Sequence, residues 1–273
     1  MAMAMAVIIT IAIVGIMPTD NAPHRSVNSG VRGSGVRSNV AGPVCGVLIG
    51  LALIACAIPR ILAYSAIAPW SGLVPVALAE GLPIDEPSLI AARASYATAL
   101  KWQTGSADIA QSYVFLSMRL PESTRNEAGD AVQFLPEPLR VLKQSAAAAP
   151  GASRTWGMLA KVEQRAAAPV SEYADYLRLS ASLAPYEVSS VITRVDTMMR
   201  VVNELPDDLA AFAKRDVRTL WMKPYLRKFL VGIYLDQDFS GRAAIRRLAF
   251  DDVRDGRHFD RMLLEVLNIG PNS

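Results

Sequence analysis

The sequence predicts an all-α protein: an N-terminal transmembrane helix, with a second span left open, followed by a helical-hairpin, repeat-like domain. Three observations predict it. Ser38 to Pro59 contains no charged residue, and Val44 to Ile58 within it is almost wholly apolar. After position 88, apolar residues recur at helical spacing in one segment after another, with no sustained alternation of the kind a half-buried strand shows. Pro and Gly breaks separate these segments at short intervals, as in paired antiparallel helices. The predicted organisation is 1–42, an N-terminal apolar segment and basic linker; 43–69, the anchor; 70–87, a Pro-rich connector; and 88–273, the all-α domain.

The first segment, Met1 to Met17, is apolar and lacks the basic start of a secretory signal. It reads equally as a second, short span or as sequence upstream of a later start, since Met3, Met5 and Met17 could also begin the chain. The linker from Pro18 to Gly42 is rich in Gly, Ser, Asn and Arg and reads as flexible. The anchor follows. Val44 to Tyr64 as a helix is roughly 31 Å long, the thickness of the hydrocarbon core. Arg60 stands near its outer end, where its stem can lie along apolar surface while the guanidinium reaches the headgroups. Tyr64 and Trp70 follow at the depth where aromatics mark the interface. Pro59 sits in the last turns, a place for a kink. His24, Arg25, Arg32 and Arg37 precede the anchor; Glu80, Asp85 and Glu86 follow it. Cationic flanks stay on the cytoplasmic side. The expected location is therefore the bacterial inner membrane, with the C-terminal domain in the periplasm and the lipid bilayer as one partner.

Charge is local. Of 28 Lys and Arg, four (Arg25, Arg32, Arg37 and Arg60) precede position 70, and of 25 Asp and Glu, only Asp20 does, leaving 24 of each sign in the large domain. A neutral domain lacks the basic excess of a nucleic-acid binder, so no nucleic-acid partner is expected. Cys45 and Cys56 both lie in the anchor. Eleven residues apart on one helix they are roughly 16 Å from each other, too far for a disulfide. They read as small lipid- or helix-facing residues, with pairing to another helix as the alternative.

The domain reads as helix after helix. Ser88 can cap a helix carrying Ala91, Ala94, Tyr96, Ala99 and Trp102, broken at Gly105. Ile109, Tyr113, Leu116 and Leu120 mark a second, ended by Pro121 and the polar loop from Glu122 to Asp130. A third spans Pro136 to Ala148. Ser153 opens a fourth, and Ser171 lies in the first turn of a fifth with Tyr173, Tyr176 and Leu177. Val188, Val191, Ile192, Val195, Met198 and Val202 form the cleanest stripe. Leu209 to Leu220, Leu226 to Ile233, Ala244 to Leu248 and Met262 to Leu267 complete the set.

Ala149-Pro150 recurs as Ala184-Pro185, 35 residues on. Pro150, Trp156, Leu159, Ala160 and Tyr176 fall at the offsets of one tetratricopeptide repeat, which this unit resembles. Pro185 is one residue late and Glu163 stands where that family has Tyr. The resemblance implies a helical surface that binds partners, with Trp156 in the core of the hairpin and not at a ligand.

No residue pattern compels chemistry, so no catalytic, cofactor-binding or metal residue and no cofactor is assigned. The run from Asp251 to Gly256 starts like a calcium loop, but its third and twelfth positions are Val253 and Met262, which carry no ligand oxygen. His258 has no His or Cys near it in sequence. Arg242, Arg246 and Arg247 form a basic cluster that reads as a solvated face paired with aspartates; contact with headgroups or an anionic polysaccharide is the alternative. Tyr173, Tyr176 and Tyr186 could line a sugar groove or pack between helices. Glu122-Ser123 resembles the Glu-Ser pair of lytic transglycosylases, but the Gly-Leu-Met-Gln motif of that family is absent. The expected function is non-enzymatic: a membrane-anchored interaction module or accessory subunit of a bacterial envelope complex, scaffolding by contact with other membrane or periplasmic proteins. A helical cell-wall or polysaccharide-acting lyase is the alternative.

Overall fold

Ala41–Ile67 forms one helix of 27 residues, α1. Its apolar side chains satisfy no partner of their own, and Val47, Leu51, Ile54 and Ile58 are all exposed. In the computed structural model, which describes residues 41–74, 77, 84–120, 135–250 and 253–268, this is the one helix among the described residues long and apolar enough to cross a membrane; the span runs Cys45–Trp70. Pro59 lies inside it without ending it. The Met1 to Met17 segment lies outside the described residues. The chain divides into two units, 1–48 and 49–273; of the first, only the opening turns of α1 are described.

The helix changes character near its end. Ala63 and Ile67 are buried, and with Val74 they join the core formed by the following helices. The 3-10 turn Ala68–Trp70 closes the segment, and the Trp70 indole donates to Ser95 Oγ at 3.0 Å. Ala77 is buried too.

Among the described residues ten further α-helices follow: α2 (Glu86–Trp102), α3 (Ala107–Arg119), α4 (Pro136–Ala148), α5 (Ser153–Arg165), α6 (Val170–Leu183), α7 (Val188–Met199), α8 (Asp207–Met222), α9 (Arg227–Leu235), α10 (Phe239–Ala249) and α11 (Val253–Asn268). There is no strand among the described residues. The cap of α2 is Asp85, whose carboxylate accepts from the Ser88 N–H at 3.1 Å; Ser88 lies inside the helix instead of starting it. That bond holds the Asp85 carboxyl below the usual range. Asp238 caps α10 in the same way, accepting from Gly241 N at 2.8 Å.

From α2 to α6 each helix packs chiefly on its sequence neighbours, α2 on α3, α3 on α4, α4 on α5 and α5 on α6, whereas α7 lies mainly against α5 and α8, α10 against α8 and α11 against α9. Close approach of α6 and α7 to α5 needs Gly157: a Cβ at that position would lie 3.2 Å from Ser180 Oγ and 3.4 Å from Thr193 Cγ2. Of the stripe read from the sequence, Val191, Val195 and Met198 are wholly buried, covered by α8, α9 and α10, while Val188, Ile192 and Val202 are half-buried against the same core. Two apolar clusters result. One joins the end of α1 to α2, α3, α4 and α5; the other runs from α5 and α6 to α11. Tyr176 packs against both.

Candidate functional site

Three groups of polar side chains among the described residues bind helix to helix. In the first, Arg93 of α2 donates to Ser117 Oγ at 2.9 Å and Tyr113 Oη at 2.8 Å on α3, and pairs with Glu137 of α4 at 3.2 Å. Burial pushes the Tyr113 phenol up to about 12, so it remains a neutral partner for the guanidinium.

The second group is fully enclosed. Arg194 of α7 and Asp216 of α8 are both 0% exposed, with Nε to Oδ2 at 2.6 Å. A buried charge is tolerated only when paired and hydrogen-bonded, and both partners are. The Arg194 guanidinium also donates to the carbonyls of Ser180 at 3.1 Å, Ala184 at 3.3 Å and Pro185 at 3.2 Å. These carbonyls stand at the C-terminal end of α6, where a cation also complements the helix dipole; that of Ser180 accepts from the Ala184 N–H as well, at 3.3 Å. The other oxygen of Asp216 accepts from Arg215 Nε and Nη2, at 2.9 and 2.8 Å. Ser153 Oγ, at the first turn of α5, donates to the Ser180 carbonyl at 2.8 Å and lies 3.0 Å from Ser190 Oγ, which donates to Glu187. Four helices, α5 to α8, thus meet on one polar network.

The third group surrounds Asp196 on α7. Burial would raise its carboxyl, but Lys161 beside it, then Arg200 and Arg165, outweigh that and hold it below the usual range. Gln237 Nε2 approaches the same carboxylate at 3.4 Å. Gln237 Oε1 and the Met199 carbonyl crowd Gly241, where an added Cβ would lie within 2.9 and 2.8 Å of them. Glycine is thus what lets α10 seat against the end of α7.

The residues singled out in the sequence do not converge. Tyr173 is fully buried, and burial, with Glu204 adding to it, pushes its phenol up to about 12. Tyr176 is half-buried and stacks on Trp156, ring centroids 5.8 Å apart. Tyr186 is 66% exposed. The three tyrosines do not form one groove. Trp156 is half-buried, between α5 and α6, and its indole donates to the Pro150 carbonyl at 2.8 Å. It joins the hairpin as expected from the repeat pattern but is not wholly inside. Trp156→Ala is therefore expected to cost about 2 kcal/mol, below the 3–5 typical of a fully buried Trp; chemical denaturation of the wild type and variant measures it.

The arginine cluster also divides. Arg242 donates to the Tyr234 and Leu235 carbonyls at the end of α9, at 3.1 and 2.8 Å, Arg246 bonds Asp260, and Arg247 is exposed. Arg254, Asp255 and Gly256 lie in the first turns of α11, so the described part of the calcium-loop-like run is helical; Asp251 and Asp252 lie outside the described residues, as does Glu122-Ser123. His258 faces Arg227. Cys45 and Cys56 are exposed on α1. Among the described residues no three His, Cys, Asp or Glu are grouped to hold a metal ion. A shallow groove of about 590 Å³ runs along the outer face of α4, lined by Leu139, Arg140, Lys143 and Gln144 with Pro136 and Ala147 at its ends.

The network of Arg194 and Asp216 was not foreseen from the sequence. Its signal was there: each residue sits within an apolar stripe, Arg194 between Val191 and Val195, Asp216 beside Val217 and one turn from Ala213 and Leu220. Compared with protein-family models, with curated proteins and with solved structures, the chain matches none.

Proposed function

We propose that the chain is a membrane-anchored interaction module, an accessory subunit of a bacterial envelope complex, with its helical domain on the periplasmic side and helices arranged as in tetratricopeptide-repeat proteins. The observation that carries this reading is the course of α1, which exposes apolar side chains over most of its length and then buries Ala63 and Ile67 in the domain core. A helix of that kind anchors, and the domain fused to it is held at the membrane. The basic flank before α1 supports the orientation. The neighbour-on-neighbour packing of α5, α6 and α7 around Trp156, Leu159, Ala160 and Tyr176 supports the repeat architecture. Such arrays act by presenting surface to partners.

Two measurements test the reading. A reporter fused after Ser273 is expected to be active only outside the cytoplasm; cytoplasmic activity overturns the orientation. The chain, solubilised from membranes in mild detergent after brief crosslinking, is expected to carry a stoichiometric membrane or envelope protein with it. A chain that migrates alone and cleaves a cell-wall polymer overturns the interaction role in favour of an enzyme.

A further inference from the structure

The two sides of α11 differ in kind. On the inner side Phe259 and Leu263 enter the core, where Phe259 meets Trp221, Tyr234 and Phe250, and Asp260 bonds Arg246. At about 100° per residue, Arg254, Arg257 and Arg261 fall within about 60° of one another, on the side away from Phe259. All three are exposed, and none pairs with a carboxylate among the described residues. The carboxylates of the helix leave this face cationic. Asp260 is bound to Arg246, Asp255 is half-buried and has a partner of its own, and Glu265 alone stands exposed against the three guanidinium groups.

The last turn of α11 is apolar and uncovered. Leu264, Val266 and Leu267 are 59, 45 and 60% exposed. Leu264 follows Arg261 by three residues and Arg257 by seven, so it lies beside both on the helix surface. Val266 follows Phe259 by seven and Met262 by four, on the inner side, yet it is exposed. The end of α11 therefore stands clear of the helices that cover Phe259.

We propose that α11 is a second membrane contact, an amphipathic helix that docks on a bilayer surface carrying anionic headgroups. Leucines beside arginines suit such a surface: the apolar side chains enter the acyl boundary while the guanidinium groups stay among the phosphates, their stems along the apolar part. An acidic protein answers the arginines alone. The inference rests on α1 being an anchor, which keeps a bilayer at hand and makes the docking intramolecular. Each basic residue near an anionic surface strengthens binding about fivefold, so the three together favour an anionic over a neutral bilayer by about a hundredfold.

The test is hydrogen exchange on the full chain reconstituted into vesicles of phosphatidylcholine, alone or with one-third phosphatidylglycerol. Amides of 260–268 are expected to exchange about tenfold more slowly in the anionic vesicles, the slowing of a helix docked about nine-tenths of the time. Those of α7 should not change. Salt at about 1 M, where the screening length falls to about 3 Å, should erase the difference. The triple variant Arg254→Gln, Arg257→Gln and Arg261→Gln should erase it too; these side chains stand in solvent, and the α7 amides report that the fold is kept. Leu264→Ser with Leu267→Ser should lose most of it. Equal wild-type exchange in the two kinds of vesicle overturns the proposal, as does a wild-type-sized difference in either variant. Slowing by added polyglutamate, with no effect of phosphatidylglycerol, overturns it in favour of an acidic protein partner. A chain that enters neither vesicle removes the anchor and the docking with it; one that enters both and shows no difference removes the docking alone.

Discussion

Asp216→Ala is expected to be the most damaging single substitution in the domain, lowering its stability by about 3–5 kcal/mol, the cost of leaving a buried charge without its partner. Arg194 would keep its three carbonyl acceptors but lose its counter-charge in a site with no exposure. Arg215, half-exposed, would lose the carboxylate oxygen it shares. An ordinary domain is stable by roughly 5–15 kcal/mol, so much of the margin would go. Replacing the pair together, Arg194→Met with Asp216→Leu, is expected to be milder than Asp216→Ala alone, because no charge is then stranded. Urea or thermal denaturation of the three proteins decides the matter: a double variant less stable than Asp216→Ala would mean that Arg194 acts mainly as the cap of α6 and that the pair is secondary.

Ile67→Asp is expected to separate the end of α1 from the domain. Ile67 lies almost wholly within the cluster that includes Leu89 and Ala92 of α2. The substitution removes buried apolar surface and puts an unpaired carboxylate in its place, a loss of at least about 3 kcal/mol. Trp70, three residues beyond the helix end and tied to Ser95, should become accessible to a fluorescence quencher, and proteolysis between 68 and 74 should accelerate. Ile67→Val, which keeps the shape, should change either readout little. Wild-type-like protection of Trp70 in the Asp variant would show that the indole–Ser95 bond holds the junction without Ile67.

The helices were legible because their spacing is a direct consequence of burial on one side. The stripe of α7 is the clearest case: of its six residues, Val191, Val195 and Met198 are enclosed, and Val188, Ile192 and Val202 are half-buried against the same core. The candidate span at Cys45–Trp70 was legible for the opposite reason, since a run without charge has nothing to offer water. What the pattern did not give up was the polar interior. Periodicity classes Arg194 and Asp216 as charged and therefore outward, and only the coincidence of opposite charges inside two neighbouring stripes hints otherwise. Ser153, Ser180 and Ser190 are similarly mute in sequence, because small hydroxyls suit both caps and buried networks. The tyrosines were ambiguous for a related reason. Spacing along a chain says which residues share a helix face, but only Tyr173 and Tyr176 lie on α6, and Tyr186 lies in the loop beyond it, where the period no longer applies. The contact of His258 with Arg227 joins residues 31 apart in the chain, and no local pattern links them.

The burial of Ala63 and Ile67 has a mechanical consequence. A domain hung on a loose strand can sample many heights and angles above a bilayer. Here the last turns of α1 are themselves part of the folded core, so in a membrane the domain inherits its attitude from the tilt of one rod. Rotating that rod by a few degrees would swing the far helices by several ångströms, because displacement grows with distance from the pivot. A neighbouring span that leaned on α1 within the lipid could therefore turn the domain without ever touching it.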